Sequence, residues 1–339
     1  MGERGAGVRV AVVGAGVVGL TTATMLQEAL PGASITVLAD KFGQETTSDG
    51  AAGIFWPGHH IRGEEEGDQR RWSSLSYAYY KRILESGDAV EAGVKRFSGY
   101  LFSNKESVWE PFLKLIIDEY RECTPDELRL HGYKYGVFLT TLLTECRSYL
   151  PYLTRRITAR GGRMERRHLK SLEELVGHYD IVCNCSGFGA KELCRDMNVT
   201  AIRGQVFKVK APWLKNFYFV DGGTYIIPGI EFVTLGGTKN FDSNNAEVNK
   251  YDSQAIWERC VAVVPSLKDA EVLQEWVGLR PYRHIHRVQK ETITFPSGKT
   301  LKVVHNYGHG STGVTTSPAT SMDAVKLVLE TLRGPQAKL

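Results

Sequence analysis

Cysteine pairs, net charge and long apolar runs are what this chain has least of. Its six cysteines, Cys123, Cys146, Cys183, Cys185, Cys194 and Cys260, are scattered, with no Cys-x-x-Cys pair and no His/Cys metal spacing, so no metal centre is expected. Cys183 and Cys185 lie two apart on one face of a strand, where backbone geometry disfavours a mutual disulfide. Reduced, mostly buried thiols and an intracellular compartment are the expectation. No apolar run is long enough to span a bilayer, so no membrane partner is expected. The formal charge is only +4, and the densest basic stretch, Arg155 to Lys170, alternates with apolar residues. That reads as a solvated face and argues against nucleic acid as a partner. There is no internal repeat and no low-complexity tract. The remaining composition, 42% apolar and 24% charged over 339 residues, is ordinary for a globular enzyme with one large or two modest domains.

Two glycine-rich segments, about three hundred residues apart, carry the information that composition does not. The first is Val10-Ala11-Val12-Val13-Gly14-Ala15-Gly16-Val17-Val18-Gly19-Leu20. Its apolar start predicts a buried strand. Leu20 to Leu30 predicts a helix ended by Pro31-Gly32. Gly14 permits a tight turn, Gly16 lets backbone approach a pyrophosphate, and Gly19 allows helix to pack on strand. The helix N-terminus then offers unpaired N–H groups and partial positive charge to phosphate. A second strand, Ile35 to Ala39, ends at Asp40, 21 residues beyond Gly19. An acid at that offset can hydrogen-bond a ribose hydroxyl, although Asp40 taken alone is also an ordinary strand-end turn residue. Arg9 before an apolar run has the look of a signal peptide, but three glycines break the run and a patterned fold continues from it. The second segment is Val303-Val304-His305-Asn306-Tyr307-Gly308-His309-Gly310-Ser311-Thr312-Gly313. It reads as backbone packed against a flat ring at the far end of the same ligand. A ligand held by both ends of the chain should be long, and FAD is long enough.

Between these segments the pattern changes. Residues 56–140 hold a polar insert, Arg62 to Asp68, and then a helix carrying Trp72, Tyr77, Tyr79 and Tyr80. Residues 145–160 look helical, and Asp180 to Cys185 reads as a buried strand running into Ser186-Gly187. From Ile202 to about Arg287 the period becomes two, through Val206, Lys208 and Lys210, then Tyr225-Ile226-Ile227, then Phe232 to Leu235. That predicts antiparallel strands. Ser321 to Arg333 predicts a closing helix. The expected α/β architecture has a discontinuous cofactor domain (1–55, 141–201 and 288–339). A β-rich substrate domain (56–140 and 202–287) is inserted in it, with a pocket between the two. The terminal Ala337-Lys338-Leu339, after the spacer Arg333-Gly334-Pro335-Gln336, is a close variant of the Ser-Lys-Leu peroxisomal address. A peroxisomal import receptor is therefore an expected partner, and the peroxisome matrix the expected location.

Several further segments resemble one family. Gly14 to Leu20, Ala39-Asp40-Lys41-Phe42, Thr46-Thr47-Ser48-Asp49 through Ala51-Ala52-Gly53, Arg203-Gly204-Gln205, Tyr225 to Gly229, Leu279-Arg280-Pro281 and His305 to Gly310 look like the D-amino-acid oxidase and D-aspartate oxidase family, in order and over nearly the whole chain. The resemblance implies an FAD oxidase with a Rossmann-like cofactor domain and an antiparallel, β-rich substrate domain. It implies cofactor contacts at Ala15, Gly16, Asp40, Lys41, Thr46, Thr47, Ser48, Ala52, Gly53, Leu169, Ser186, Gly310, Gly313, Val314 and Thr315. It makes Tyr225 and Arg280 the pair that holds the substrate α-carboxylate, and places a Ser311 carbonyl near the substrate amine. The short loop Asp221-Gly222-Gly223-Thr224, Ser311 and Leu279 to Arg283 resemble the D-aspartate branch. Lys239 stands where that branch has an arginine able to meet a side-chain carboxylate. Three positions depart from the pattern. Val220 replaces a second arginine of the aspartate enzymes, Trp56 a glutamine of the general oxidases, and Pro318-Ala319-Thr320-Ser321 a Trp-Gly-x-Ala.

The chemistry agrees with these residue types. A buried substrate carboxylate must be paired, and a guanidinium can take it with two parallel hydrogen bonds while a phenol adds a third. The competing readings are an interdomain salt bridge for Arg280, a core aromatic for Tyr225 and a surface turn for Lys239. The expected reaction is oxidative deamination of a D-amino acid by oxygen, giving a 2-oxo acid, ammonia and hydrogen peroxide. Acidic substrates are expected, with neutral or basic D-amino acids as the alternative. Hydride transfer from a neutral amine needs no base, so His305 and His309 are expected to shape the glycine loop. His59 and His60 are candidate neighbours of the side-chain pocket. Other readings are an amine oxidase acting on glycine or sarcosine, a nicotinamide-dependent reductase and a non-catalytic flavin protein. A homodimer stays open.

Overall fold

The computed structural model describes residues 7–58, 61–106, 111–221 and 223–333. His59, His60, Gly222 and the terminal Ala337-Lys338-Leu339 lie outside the described residues. Among those described, one sheet of fourteen strands runs through the molecule. At one end five strands are parallel, in the order Thr300–His309, Ile181–Asn184, Arg9–Val13, Ser34–Ala39 and Arg163–Arg166. The first three of these, through Arg9–Val13, are almost wholly buried, as strands covered on both faces must be, with polar residues such as Asn184, His305 and Asn306 among the buried ones. The other end is mostly antiparallel. Thr200–Lys210, Val233–Gly236, Thr224–Pro228 and Phe217–Val220 follow one another, and Val94–Ser103 then joins in parallel before Tyr135–Thr144 and Glu119–Glu122.

One long strand, Glu271–Thr294, joins the two ends. Its first half pairs with Thr200–Lys210 and its second half with Thr300–His309, with an irregularity between Tyr282 and Arg287. Residues from both halves of the sheet line one cavity.

Helices Val17–Ala29 and Gly313–Arg333, from opposite ends of the chain, pack together, and the Thr22 and Ser321 hydroxyls meet at 2.8 Å. The closing helix starts at Gly313, eight residues before the expected Ser321. Pro318 made the earlier turns look broken in sequence, because it cannot donate to the carbonyl four residues back. That carbonyl, on Val314, instead accepts the Tyr80 hydroxyl at 2.7 Å. A second difference lies inside the stretch read as strands. Lys250–Val263 is a helix, capped by the Asn249 side chain, with Ile256 and Cys260 buried one turn apart. The Asn cap was its local signal. All six cysteines are free thiols, and every one but Cys194 is buried. Among the described residues no helix is long and apolar enough to cross a membrane.

Candidate functional site

A cavity of about 1510 Å³ lies against the ends of the parallel strands and extends between the two halves of the sheet. The twenty residues expected from the sequence to touch cofactor or substrate all line it: Ala15, Gly16, Asp40, Lys41, Thr46, Thr47, Ser48, Ala52, Gly53, Trp56, Leu169, Ser186, Tyr225, Lys239, Arg280, Gly310, Ser311, Gly313, Val314 and Thr315. His309 also lines it. The His305 imidazole turns instead to Glu291 at 3.0 Å and Asn184 at 3.3 Å.

One end is made of backbone. Gly14 has φ of +111°, and a Cβ there would run into the Cys185 carbonyl just past the end of the neighbouring strand Ile181–Asn184. The helix Val17–Ala29 therefore starts hard against the sheet, with Gly16, Val17 and Val18 at its N-terminus in the cavity wall. Ser48 crosses to accept the Val17 N–H at 3.0 Å. The helix Gly313–Arg333 begins at the same cavity, with Gly313, Val314 and Thr315 in its wall. Two helix N-termini thus face one space and favour negative charge in it. Asp40 ends its strand exposed, its carboxylate 3.7 Å from His168. Ser186 Oγ and Asn306 Oδ1, on two wall residues, are buried without a hydrogen-bond partner among the described residues. Buried polar atoms left unpaired are costly, so these await a ligand's polar groups. A long cofactor with an anionic pyrophosphate and a polar ring matches this donor set and these orphaned atoms.

The other end is made of side chains. The Tyr225 ring lies across Gly236 and Gly237 of the adjoining segment, where any Cβ would collide with it. The Arg280 guanidinium lies against Gly204 in the same manner. Arg280 donates to the Thr238 carbonyl at 3.1 Å, which commits one of its five N–H donors. Burial raises the pKa of the Tyr225 phenol, and the neighbouring Arg280 charge pulls partly the other way. Lys239 lies in the cavity wall with much of its side chain exposed. Desolvation lowers its pKa first and repulsion from Arg280 second. Two cations therefore share this end. Trp56 stacks on Phe219 with centroids 5.7 Å apart, and Phe219 packs on Tyr225 at 5.7 Å, so an aromatic wall backs the cations. Thr47 donates to the Leu279 carbonyl at 3.3 Å, tying the two ends together.

Phe219, Trp276 and Asn306 also line the cavity and were not read from the sequence. For Phe219 the signal was alternation in Phe217-Tyr218-Phe219-Val220. Its neighbour Val220 points the other way, into a cluster with Phe102 and Cys123. The Val220 departure thus removes a cation from the pattern and adds an apolar contact to the core.

A family model described as FAD dependent oxidoreductase matches residues 9–327. The chain is 40% identical over 336 residues to a D-aspartate oxidase of Homo sapiens, covering 97% of this chain and 98% of that protein. It is 32% identical over 332 residues to a D-amino acid oxidase of Dugesia ryukyuensis, covering 95% and 98%. Among solved structures, a glycine oxidase from Geobacillus kaustophilus superposes with a TM-score of 0.76 at 18% identity, covering 97% of this chain and 96% of that one. At that identity the likeness speaks for the fold.

Proposed function

The chain belongs to the FAD-dependent oxidoreductase family, and from that premise we propose that it oxidatively deaminates D-amino acids, with D-aspartate and D-glutamate preferred. FAD is its cofactor. In this reading segments 1–55, 141–201 and 288–339 hold the cofactor, and 56–140 with 202–287 hold the substrate. When bound, the flavin supplies the two-electron oxidation of the amine-bearing carbon, with oxygen as final acceptor and hydrogen peroxide as product.

The chain's own groups do the rest. Arg280 takes the substrate α-carboxylate with its uncommitted donors, and the Tyr225 phenol, kept protonated by burial, adds another. Lys239 meets the second carboxylate of an acidic substrate. Its ammonium, though largely exposed, loses some hydration in the cavity wall and is repelled by Arg280, and the attraction of an incoming carboxylate offsets both costs. The Trp56–Phe219 wall excludes water and strengthens these pairings. Burial drives His305 down to about 4 and His309 to about 3, so both rings are neutral at physiological pH and serve as loop supports. Ala337-Lys338-Leu339 is read as the address that carries the enzyme to the peroxisome, where its peroxide product is handled.

Two cations beside one phenol at the aromatic end of the cavity carry this reading. Its test is Lys239→Ala, assayed by hydrogen peroxide release on D-aspartate, D-glutamate, D-alanine, D-proline and their L-forms. Loss of an ion pair to a largely exposed lysine predicts a KM for D-aspartate raised about threefold to fivefold, with D-alanine changed less than about twofold. Equal effects on both substrates would move the enzyme to the neutral or basic D-amino acids.

A further inference from the structure

A lysine lies buried behind the cofactor cradle. Lys208 is 1% exposed, near the C-terminal end of the strand Thr200–Lys210. It follows Gly204 and Val206 on the strand face that packs towards the cavity, where Gly204 supports Arg280 and Val206 lines the wall. Its ammonium donates to the Gly50 carbonyl at 3.1 Å and to the Thr234 hydroxyl at 3.0 Å, and sits 4.5 Å from the centre of the Phe232 ring. Gly50 belongs to the irregular segment that includes Ala52 and Gly53 and lines the cavity. That segment is tied to the strand Tyr135–Thr144 only from Gly53 onward, where Gly53 accepts the Thr144 N–H at 2.8 Å, so the stretch around Gly50 lies outside any ladder. Asp49, just before it, is tied to Arg147 at 3.3 Å, and the Trp276 indole lies so close over Gly50 that a Cβ could not fit. A buried ammonium is expensive, and an apolar side chain of similar length would fill the same volume at less cost to the fold.

We infer that Lys208 is a positioning residue for the cofactor: by holding the Gly50 carbonyl it fixes the cradle segment against the substrate-side strand, and FAD is retained through it. The charged groups acting on Lys208 are Glu145, Arg147 and Asp49, and the Cys146 thiol beside it is kept protonated by burial. Desolvation outweighs them and brings its pKa down to about 8. The charge-assisted hydrogen bond to Gly50 weakens as that proton is lost. FAD affinity therefore falls as pH rises through about 8.

The test starts from holoenzyme and reads the flavin fluorescence recovered on dilution between pH 7 and 9.5, which gives the FAD dissociation constant without any turnover. Wild-type enzyme should hold FAD several-fold more weakly at pH 9.5 than at pH 7. Lys208→Met, with a far-UV dichroism spectrum matching wild type, should bind FAD about tenfold more weakly at pH 7 and show no pH slope, the loss of one charge-assisted hydrogen bond. Wild-type affinity together with the wild-type slope in that variant would overturn the inference. If Lys208→Met does not fold, Lys208→Arg decides the question. Its guanidinium stays charged across the range, so the slope must vanish, and a slope that persists would show that another group controls FAD retention.

Discussion

The two ends of the cavity reach binding by different means. The end proposed for the cofactor offers amides, φ angles and helix starts, with Gly14, the helix Val17–Ala29 and the helix Gly313–Arg333 as its parts. The end proposed for the substrate offers side chains, Arg280, Tyr225, Lys239 and Trp56, each carried by a different segment. Backbone donors are the same whatever the neighbouring side chains, so a glycine pattern can specify them locally. Side-chain sites depend on which strands become neighbours. Arg280 reaches Tyr225 only because Glu271–Thr294 and Thr224–Pro228 lie in one sheet, with Thr200–Lys210 and Val233–Gly236 between them.

The sharpest way to separate the ends is Arg280→Ala. It should lower peroxide production by about a thousandfold or more on every substrate while leaving bound flavin in place. Removing a bidentate carboxylate anchor strips binding and orientation together. Loss of flavin from this variant would mean that the ends are not independent. The reverse experiment is Gly14→Ala. The new methyl group meets the Cys185 carbonyl at a backbone angle that alanine disfavours, so FAD should bind about a hundredfold more weakly, read as flavin fluorescence on dilution. A yellow, fully loaded Gly14→Ala enzyme would show that the strand–helix turn tolerates what its geometry forbids.

A smaller effect belongs to the cofactor end through its histidines. Buried His305 and His309 have pKa values lowered to about 4 and about 3, against 6.5 for the free group. Below pH 6.5 the unfolded chain binds protons that the folded rings refuse. Stability is therefore fully present above 6.5 and drains away as pH falls towards 4. About 1 kcal/mol from each ring should be lost by pH 5.5, seen as a lower urea midpoint for the holoenzyme than at pH 7. An unchanged midpoint would mean that both rings are already charged in the fold.

Much of this was legible before folding. Strand, glycines, helix and Asp40 stand in one continuous run, and such local order survives any tertiary arrangement. The helix Lys250–Val263 was not legible, because its neighbours imposed a period of two on the reading and only the Asn249 cap marked its start. Phe219 and Trp276 were missed because an aromatic residue in a strand looks the same whether it faces core or ligand. Lys208 was readable as one polar beat of an alternating strand. Only the packing of Gly50 and Phe232 against it reveals a buried charge.

The sequence by itself determined a pyrophosphate-type turn at Gly14 to Gly19, a second glycine loop before the last helix, and which residue types could hold a carboxylate. Those follow from steric and hydrogen-bonding rules acting over a few residues. Tertiary structure alone decided that Arg280, Tyr225 and Lys239 share one end, that Val220 turns into the core, and that Pro318 sits inside a helix because Tyr80 takes the carbonyl it leaves free. Each of these depends on strands and helices distant in sequence meeting in a single register, and nothing local to any one residue specifies that meeting.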